Sequence, residues 1–134
     1  MIKNLLDDIT DDIPAIERAL KLQKKAASVG FDWKNSKDII KKIEEELAEI
    51  QDALNNKLSS DNLSEELGDL IFCCINLARH YQIEPEVALN KTNNKFIKRF
   101  NYIEHSLRKR NKLILDISLE EMDRLWEEAK KDTI

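Results

Sequence analysis

Apolar residues recur at intervals of three and four along most of the chain, which is the spacing of one face of an α-helix. Five helices are predicted from this pattern and from the residues that interrupt it. They run from Pro14 to about Ser28, from Ser36 to about Asn55, from Ser60 or Asp61 to about His80, from Pro85 to about Arg110, and from Ser118 to Lys131. The first twelve residues are expected to form a short helix or an arm.

The predicted helix ends rest on residues with known positional preferences. Pro14 and Pro85 suit a first helical turn, and Gly30 suits the end of a helix. Ser36 and Ser118 are expected to act as N-caps, the latter within a capping box, Ser118-Leu119-Glu120-Glu121. In the connection after Gly30, Phe31-Asp32-Trp33 either packs onto the helices or borders a base pocket, and packing is the favoured interpretation.

Two of the predicted helices carry apolar rows with the alternating spacing of a helical bundle. The rows consist of Ile40, Ile43, Leu47, Ile50 and Leu54 in the second helix, and Leu63, Leu67, Leu70, Cys74 and Leu77 in the third. This pattern predicts an all-α bundle that forms a single domain over residues 1–134. A small bundle does not cover rows of this length, which indicates self-association.

Composition supports the same class and excludes others. Two glycines and two prolines in 134 residues leave little material for the turns of a β-sheet protein, and a net charge of −4 argues against nucleic-acid or anionic-membrane partners. No signal peptide or apolar run of membrane-spanning length is visible, so a cytoplasmic protein is expected. Cys73 and Cys74 lack the CxxC spacing of a zinc or redox site and are interpreted as buried thiols. Neither His80 nor His105 lies in the ExxH motif of a di-iron bundle.

Candidate chemistry is concentrated in two acidic motifs. Glu46 and Glu49 are three residues apart, as are Glu66 and Asp69, so each pair lies on one side of its helix, beside the apolar row. Four converging carboxylates repel one another unless a hard divalent cation lies among them. A magnesium site is therefore predicted, although a single ExxE motif also arises by chance on the solvated helix faces of a chain rich in Glu and Lys.

Further polar residues are candidates for substrate contacts. Lys91, Lys95 and Arg99 form a cationic row, which is a solvated helix face when taken alone and a phosphate clamp if it lies opposite the carboxylates. Asn76 follows Asp69 two turns along the same row. It either reaches the sugar or base of a nucleotide or bonds to a neighbouring helix.

Several short motifs together resemble the MazG nucleoside triphosphate pyrophosphohydrolases, over about Leu5 to Lys131. The motifs, in chain order, are Gly30-Phe31-Asp32-Trp33, Lys42-Ile43-Glu44-Glu45-Glu46-Leu47-Ala48-Glu49, Glu65-Glu66-Leu67-Gly68-Asp69-Leu70, Asn76-Leu77-Ala78-Arg79-His80, Lys95-Phe96-Ile97-Lys98-Arg99-Phe100 and Leu125-Trp126. The chain is most similar to the C-terminal catalytic half of the two-domain members. It is therefore expected to be either a single-domain member or an excised domain.

The resemblance implies an all-α fold that assembles as a homodimer or a higher homo-oligomer and uses Mg²⁺, with Mn²⁺ able to substitute. The metal ligands it implies are Glu46, Glu49, Glu66 and Asp69. The substrate-binding residues it implies are Lys42, Glu45, Lys95, Arg99 and Trp126, and Asn62, Glu65 and Asn76 are further candidates for substrate contacts. Asn62 stands where the long members carry a lysine, so one phosphate contact is either missing or supplied from elsewhere, for example by Lys57.

The activity implied by the resemblance is hydrolysis of nucleoside triphosphates to monophosphate and pyrophosphate, with broad base tolerance suited to cleaning the nucleotide pool. Glu45 or Glu49 would accept a proton from the attacking water, and Trp126 would stack on a base. Two alternatives stay open. One is a pyrophosphatase dedicated to a single nucleotide such as dUTP or dCTP, and the other is a non-catalytic helical dimer that binds nucleotides or a protein.

Overall fold

The computed structural model describes residues 3–56 and 60–132, except for the side chain of Ser60. The regular structure in these ranges is helical throughout, which confirms the predicted all-α class. The helices are α1 (Ala15–Ala27), α2 (Ser36–Asn55), α3 (Ser60–His80), α4 (Pro85–Lys109) and α5 (Leu119–Asp132). Their ends agree closely with the predicted ones. Lys57 and most of the turn expected between α2 and α3 lie outside the described residues.

The start of α2 differs by one residue from the prediction. Asn35, rather than Ser36, is the N-cap, because its side-chain Oδ1 accepts a hydrogen bond of 3.1 Å from the backbone N–H of Asp38. Ser36 already belongs to the first turn, and its hydroxyl accepts a hydrogen bond of 2.8 Å from Tyr81. Asparagine caps a helix as well as serine does, so the choice between adjacent candidates depends on the backbone path that enters the helix.

The predicted N-cap of α5, Ser118, is confirmed, but the Glu121 carboxylate of the predicted capping box bonds to two arginines. The Ser118 hydroxyl accepts a hydrogen bond of 3.1 Å from the backbone N–H of Glu121, while the Glu121 carboxylate binds Arg110 and Arg124. The preceding loop contains a single 3₁₀ turn, Ile114–Asp116. Before α1, residues 3–12 form turns and no helix.

The chain divides into two compact units, Met1–Glu86 and Val87–Ile134. In the first, α2 and α1 both pack against α3, with Leu20, Ile39, Ala53 and Ile75 buried between them. In the second, the core consists of Ile103, Leu107 and Leu125, against which Ile114, Ile117 and Trp126 pack. The single-domain organisation stays a prediction.

The predicted apolar row of α2 is not the row that this chain buries. Ile39, Glu46 and Ala53, each seven residues from the next, are buried, whereas Ile40, Leu47 and Leu54 are exposed. The apolar side chains of α2 occupy two adjacent rows, and the spacing alone does not distinguish the row that faces α3.

The prediction for α3 needs the same correction. Ile75 and Asn76 are buried there, whereas Leu67 and Cys74 are exposed. The expectation of a buried thiol was therefore wrong for Cys74, and Cys73 is half-buried. In the described ranges, no helix combines the length and the apolar character that crossing a membrane requires.

Candidate metal and nucleotide site

The buried row of α2 carries one ionisable residue, Glu46, whose surface is only 4% exposed. Its Oε1 forms an ion pair of 3.2 Å with the Nζ atom of Lys42, one turn earlier on the same helix. Its Oε2 is buried and has no hydrogen-bond partner among the described residues. A buried carboxylate oxygen without a partner is costly, so this atom indicates a place for a cation or a donor.

Glu66 and Asp69 of α3 complete a cluster with Glu46. Each of the three offers a carboxylate oxygen, and these oxygens lie within 4.8 Å of one another. Glu66 also has a buried Oε2 without a hydrogen-bond partner in the described part of the chain. Three oxygens at this spacing, from residues that prefer hard cations, fit Mg²⁺ or a similar divalent ion. The packing of α2 against α3 thus brings together residues from both acidic motifs.

The fourth predicted ligand, Glu49, lies beside the cluster. Its pKa is raised by hydrogen bonding to Glu66 and by the negative charges of Glu46 and Glu66. Like charges that approach this closely favour protonation of one member. Glu49 is exposed, in contrast to Glu46, and the role of each carboxylate as a metal ligand stays a prediction.

Other predicted substrate residues of α2 and α3 lie around the cluster on more exposed surface. The Nζ atom of Lys42 is 3.7 Å from the carboxylate of Glu45, and its bonds to Glu46 and Glu45 raise the pKa of the lysine. Glu45, Asn62 and Glu65 are exposed. Lys42 therefore connects the buried cluster with the outer carboxylates.

A cavity of about 560 Å³ extends from Lys42 along α1, the α1–α2 connection and α3. We call it the loop pocket. Its lining combines apolar side chains with a few polar ones: Leu6, Leu22, Gln23, Ala26, Gly30, Phe31, Asp32, Trp33, Lys42, Phe72, Cys73, Asn76 and Arg79. The predicted packing role of Phe31 was wrong, because 81% of its surface is exposed. Mostly apolar cavities of this size with few polar groups are typical ligand sites.

A hydrogen-bonded network fixes the connection to the end of α3. The carboxylate of Asp32 accepts hydrogen bonds from Arg79 NH1 at 3.2 Å, from Arg79 NH2 at 2.5 Å and from His80 Nε2 at 2.8 Å. Hydrogen bonding from Arg79 is the main reason why the pKa of Asp32 is held well below its usual value. Two Arg79 nitrogens, Nε and NH2, also donate to Asn76 Oδ1, at 3.1 and 2.6 Å.

This network was missed at the level of sequence. Asp32 and Arg79 are both within quoted motifs, but they are 47 positions apart, and no local spacing pairs them. Gln23 of α1 also lines the loop pocket. It is buried, its Nε2 donates to the Phe72 carbonyl at 2.9 Å, and its Oε1 has no partner among the described residues.

In the second unit, the structure brings together two more predicted substrate residues. The guanidinium carbon of Arg99 lies 5.6 Å from the centroid of the Trp126 ring, within cation–π range. The same ring is tilted against Phe96, with 5.4 Å between centroids. Lys95, one turn before Arg99, is exposed. Trp126 is therefore engaged by residues of its own unit on α4.

Comparison with known proteins supports the interpretation of these motifs. A family model described as the MazG nucleotide pyrophosphohydrolase domain matches residues 34–103, which include both acidic motifs and the row from Lys91 to Arg99. The match contains the whole carboxylate cluster. It ends before Trp126 and begins after Asp32.

Three curated proteins show similarity over almost all of the chain. The nucleoside triphosphate pyrophosphohydrolase of Escherichia coli (strain K12) is 39% identical over 130 residues, or 96% of this chain and 49% of that protein. The nucleoside triphosphate pyrophosphohydrolase/pyrophosphatase MazG of Thermotoga maritima is 38% identical over 125 residues, or 93% of this chain and 48% of that protein. The uncharacterized protein YabN of Bacillus subtilis (strain 168) is 47% identical over 128 residues, which cover 96% of this chain and 26% of YabN. The chain thus spans about half the length of the first two relatives.

Proposed function

Because this chain belongs to the family of MazG nucleotide pyrophosphohydrolase domains, we propose that it hydrolyses nucleoside triphosphates to the monophosphate and pyrophosphate. The observation that carries the proposal is the convergence of Glu46, Glu66 and Asp69, whose carboxylate oxygens lie within 4.8 Å of one another. Two relatives with 38% and 39% identity are named nucleoside triphosphate pyrophosphohydrolases, which supports the same reaction.

The metal proposed for the cluster is Mg²⁺, with Mn²⁺ as a substitute, held by Glu46, Glu66 and Asp69 together with Glu49. The donor set fits, because carboxylate oxygens suit hard cations and two buried oxygens, one on Glu46 and one on Glu66, lack another partner among the described residues. When bound, Mg²⁺ supplies neutralisation of phosphate charge and a lowered pKa for a coordinated water.

The protein's own groups have separable tasks in this proposal. Glu46, buried and paired with Lys42, gives the site a fixed negative centre, and Lys42 is a flexible cation at its edge that can turn to a phosphate. In the second unit, Lys95 and Arg99 keep their predicted role as phosphate-binding residues, and Trp126 its predicted contact with the nucleotide. Cations in these roles would stabilise the negative charge that develops on the phosphate oxygens during the reaction.

Removal of a proton from the attacking water is assigned to one of two carboxylates, Glu45 or Glu49. Glu49 has a raised pKa, and a base is most effective when its pKa approaches the working pH. Glu45 is exposed and lies 3.7 Å from Lys42. Comparing the pH–rate profiles of Glu45→Gln and Glu49→Gln decides between them, because only loss of the base removes the acidic limb of the profile.

We also propose that the chain self-associates. Leu47 and Leu54 of α2 are 51% and 57% exposed, and Ile40 lies on the same row. Leu67 and Ile71 add exposed apolar surface on α3. These residues have the seven-residue or one-turn spacing of a helix-packing face, and a second copy of the chain would cover them. The proposed location is the cytoplasm, where nucleoside triphosphates are abundant.

The test of the function is release of pyrophosphate from a panel of canonical and damaged nucleoside triphosphates, first with Mg²⁺ and then with EDTA. We expect metal-dependent release of pyrophosphate together with an equal amount of monophosphate, from several bases. Hydrolysis of one nucleotide alone would contradict the proposed broad base tolerance. If protein with full helix content releases no pyrophosphate from any nucleotide, the proposed reaction is contradicted.

A further inference from the structure

The loop pocket contains a side-chain amide whose orientation is fixed by its neighbours. Asn76 is buried, and its Oδ1 accepts hydrogen bonds from Nε and NH2 of Arg79. A guanidinium group has five N–H donors and no acceptor, so the oxygen of Asn76 has to face it. The other end of the amide, Nδ2, is a donor of two hydrogen bonds, and Asn76 lines the pocket.

Arg79 is itself held in place. Its NH1 and NH2 donate to the two carboxylate oxygens of Asp32, at 3.2 and 2.5 Å. This bidentate pair fixes the plane of the guanidinium, which in turn fixes the amide of Asn76. A reversed amide would place the N–H groups of Asn76 against those of Arg79. The hydrogen bonds that connect Asp32, Arg79 and Asn76 therefore allow only one orientation of the Asn76 amide.

The pocket also contains a buried acceptor that lacks a donor. Gln23 is 6% exposed, and its Oε1 has no hydrogen-bond partner in the described part of the chain. The lining is otherwise largely apolar and includes the exposed aromatic side chains of Phe31 and Trp33. A flat, polar-edged ring suits such a cavity better than a phosphate chain does, because phosphates need cationic or N–H-rich surroundings.

We propose that the loop pocket binds the nucleobase of the substrate, and that Asn76, oriented by Arg79 and Asp32, donates a hydrogen bond from Nδ2 to an acceptor on the base edge. This inference rests on the proposed function, because it takes the substrate to be a nucleotide. Lys42 lines the pocket and bonds to Glu46, so a base in the pocket lies next to the carboxylate cluster. Arg79 is a positioning residue in this scheme, and Asn76 touches the substrate.

A hydrogen-bond donor at Asn76 has a defined effect on which nucleobases the pocket accepts. Every natural nucleobase carries acceptors on its edge, so a single donor tolerates all of them and rejects an analogue that lacks the acceptor it uses. The contact is compatible with broad base tolerance. Stacking of the base on Trp126 is the competing arrangement, and it would not depend on the edge atoms of the base.

The first experiment measures binding without catalysis. AMP and its 1-deaza, 3-deaza and 7-deaza analogues are titrated in EDTA, and the side-chain amide signals are followed by NMR, with the Asn76 signal assigned through Asn76→Asp. We expect AMP to shift the Asn76 signal and one of the three analogues to fail to do so. The amide of Asn93, which donates to Asn90 on α4, is the control and should not move. A stationary Asn76 signal in the presence of bound AMP would overturn the inference.

The second experiment measures kcat and KM for ATP and for the same three deaza-ATP analogues. In the wild-type protein, we expect KM to rise about tenfold for one analogue, as expected for loss of a hydrogen bond worth about 1.4 kcal/mol. In Asn76→Ala, the KM values for ATP and that analogue should become equal, because the donor is absent. Phe31→Ala should raise KM for all four nucleotides more than Trp126→Ala does. Equal KM values of the wild-type protein for all four nucleotides would contradict the proposal.

Arg79 variants separate positioning from a structural role. Arg79→Ala should lose the discrimination between ATP and the analogue that raises KM, and its kcat should change much less than its KM. Arg79→Lys restores a hydrogen-bond donor but not the bidentate geometry of the guanidinium, so it should regain part of the discrimination. Arg110→Ala, which breaks a surface ion pair with Glu121, is the matched control. If Arg79 only stabilises the fold, its variants will keep the discrimination and lower the melting temperature alone.

The two experiments also distinguish failure of this inference from failure of the proposed function. If the protein binds AMP through Asn76 but has no hydrolytic activity, the proposed function is wrong and the proposed role of the loop pocket stands. If the protein is active but does not discriminate between the analogues, the proposed function stands and the proposed role of the loop pocket is wrong.

Discussion

At the scale of single residues, Glu46 is the most informative side chain in the chain. It occupies a position that apolar residues hold one heptad before it and one heptad after it, Ile39 and Ala53, and it is buried as they are. Burial of a carboxylate is costly unless its charge is compensated, and Lys42 compensates only one of its two oxygens. A core position is thus occupied by a carboxylic side chain with one unpartnered oxygen, which points to a functional requirement.

Glu46→Gln and Asp69→Asn each remove one negative charge from the cluster while keeping the size of the side chain. We expect metal-dependent pyrophosphate release to fall at least about 100-fold, roughly the loss seen when one essential electrostatic contact to a transition state is removed. Helix content measured by circular dichroism should remain unchanged. Glu44→Gln, an exposed substitution on the same helix, is the control and should retain activity. Full activity in either cluster variant would remove the metal-site proposal.

The same variants can be tested in the absence of substrate. The proposed Mg²⁺ site exists only in the folded protein, so binding of Mg²⁺ there should raise the melting temperature of the wild-type protein in a concentration-dependent way. The rise should be reversed by EDTA and absent in Glu46→Gln. An equal rise in both proteins would show that the ion acts elsewhere.

Asp32 provides a pH-dependent contribution to stability. Its pKa in the folded protein is held well below the unfolded value of 3.8, chiefly by hydrogen bonding to Arg79 and also by His80. A group with a depressed pKa contributes stability that is present above its unfolded pKa and is lost as the pH falls. The Arg79 and His80 bonds to Asp32 should therefore contribute fully near neutral pH and progressively less below about pH 4.

We expect Asp32→Asn to lower the free energy of unfolding by about 1–3 kcal/mol at pH 7, as for other charged hydrogen bonds. Urea unfolding at several pH values should show this difference shrinking between pH 5 and pH 2. Asp52→Asn, an exposed substitution on α2, is the control. A difference that does not change with pH would mean that the charge of Asp32 is unimportant.

At the scale of elements, the boundaries of the helices depend on a few short-range hydrogen bonds. The pattern of apolar residues located the five helices of the described residues, because each is long enough for its period to be distinct from that of a strand. It did not select the cap of α2. Asn35 and Ser36 are both good caps, and only the chain direction that leads into α2 decides between them.

Asn35→Ala should lower the free energy of unfolding by about 0.5–2 kcal/mol, because it leaves the N–H of Asp38 without its cap. Asn35→Asp should restore most of the loss. Ser36→Ala removes only an exposed hydrogen bond with Tyr81 and should cost less. Chemical denaturation of the three variants tests the order, and a larger effect at Ser36 would contradict the assignment of the cap.

At the scale of the whole molecule, the apolar surface left exposed on α2 and α3 is the feature that a single copy does not explain. Ile40, Leu47 and Leu54 repeat every seven residues, and each is more than two-fifths exposed. The sequence contained this row and identified it as a packing face. What it did not reveal is that α3 of the same chain uses the adjacent row, so that the predicted face remains for another partner.

Leu54→Asp should shift sedimentation of the protein toward the monomer, because it places a charge in the proposed apolar interface. Lys41→Asp changes the charge more and lies on another side of α2, so it should leave the oligomeric state unchanged. A wild-type protein that sediments as a monomer at all concentrations would contradict self-association.

The limits of the sequence are clearest in the site. The carboxylates could be predicted because their i, i+3 spacing is local and their chemistry is specific. The loop pocket could not, since its polar contacts join residues that are far apart in the chain, as Asp32 and Arg79 are and as Gln23 and Phe72 are. Long-range pairs of this kind follow from the packing of α1 and α2 on α3, which no local period encodes.

The bond between Asp32 and Arg79 has a consequence for the kinetics of folding. It joins residues 47 positions apart, so its formation requires that α2 and α3 have already come together. A contact that forms late stabilises the native state more than the transition state, and its loss acts mainly on the unfolding rate. In stopped-flow experiments at neutral pH, Asp32→Asn should unfold several times faster than the wild-type protein and refold at nearly the same rate. The lifetime of the connection between α1 and α2 in its native position then depends on the bonds that Asp32 forms with Arg79 and His80.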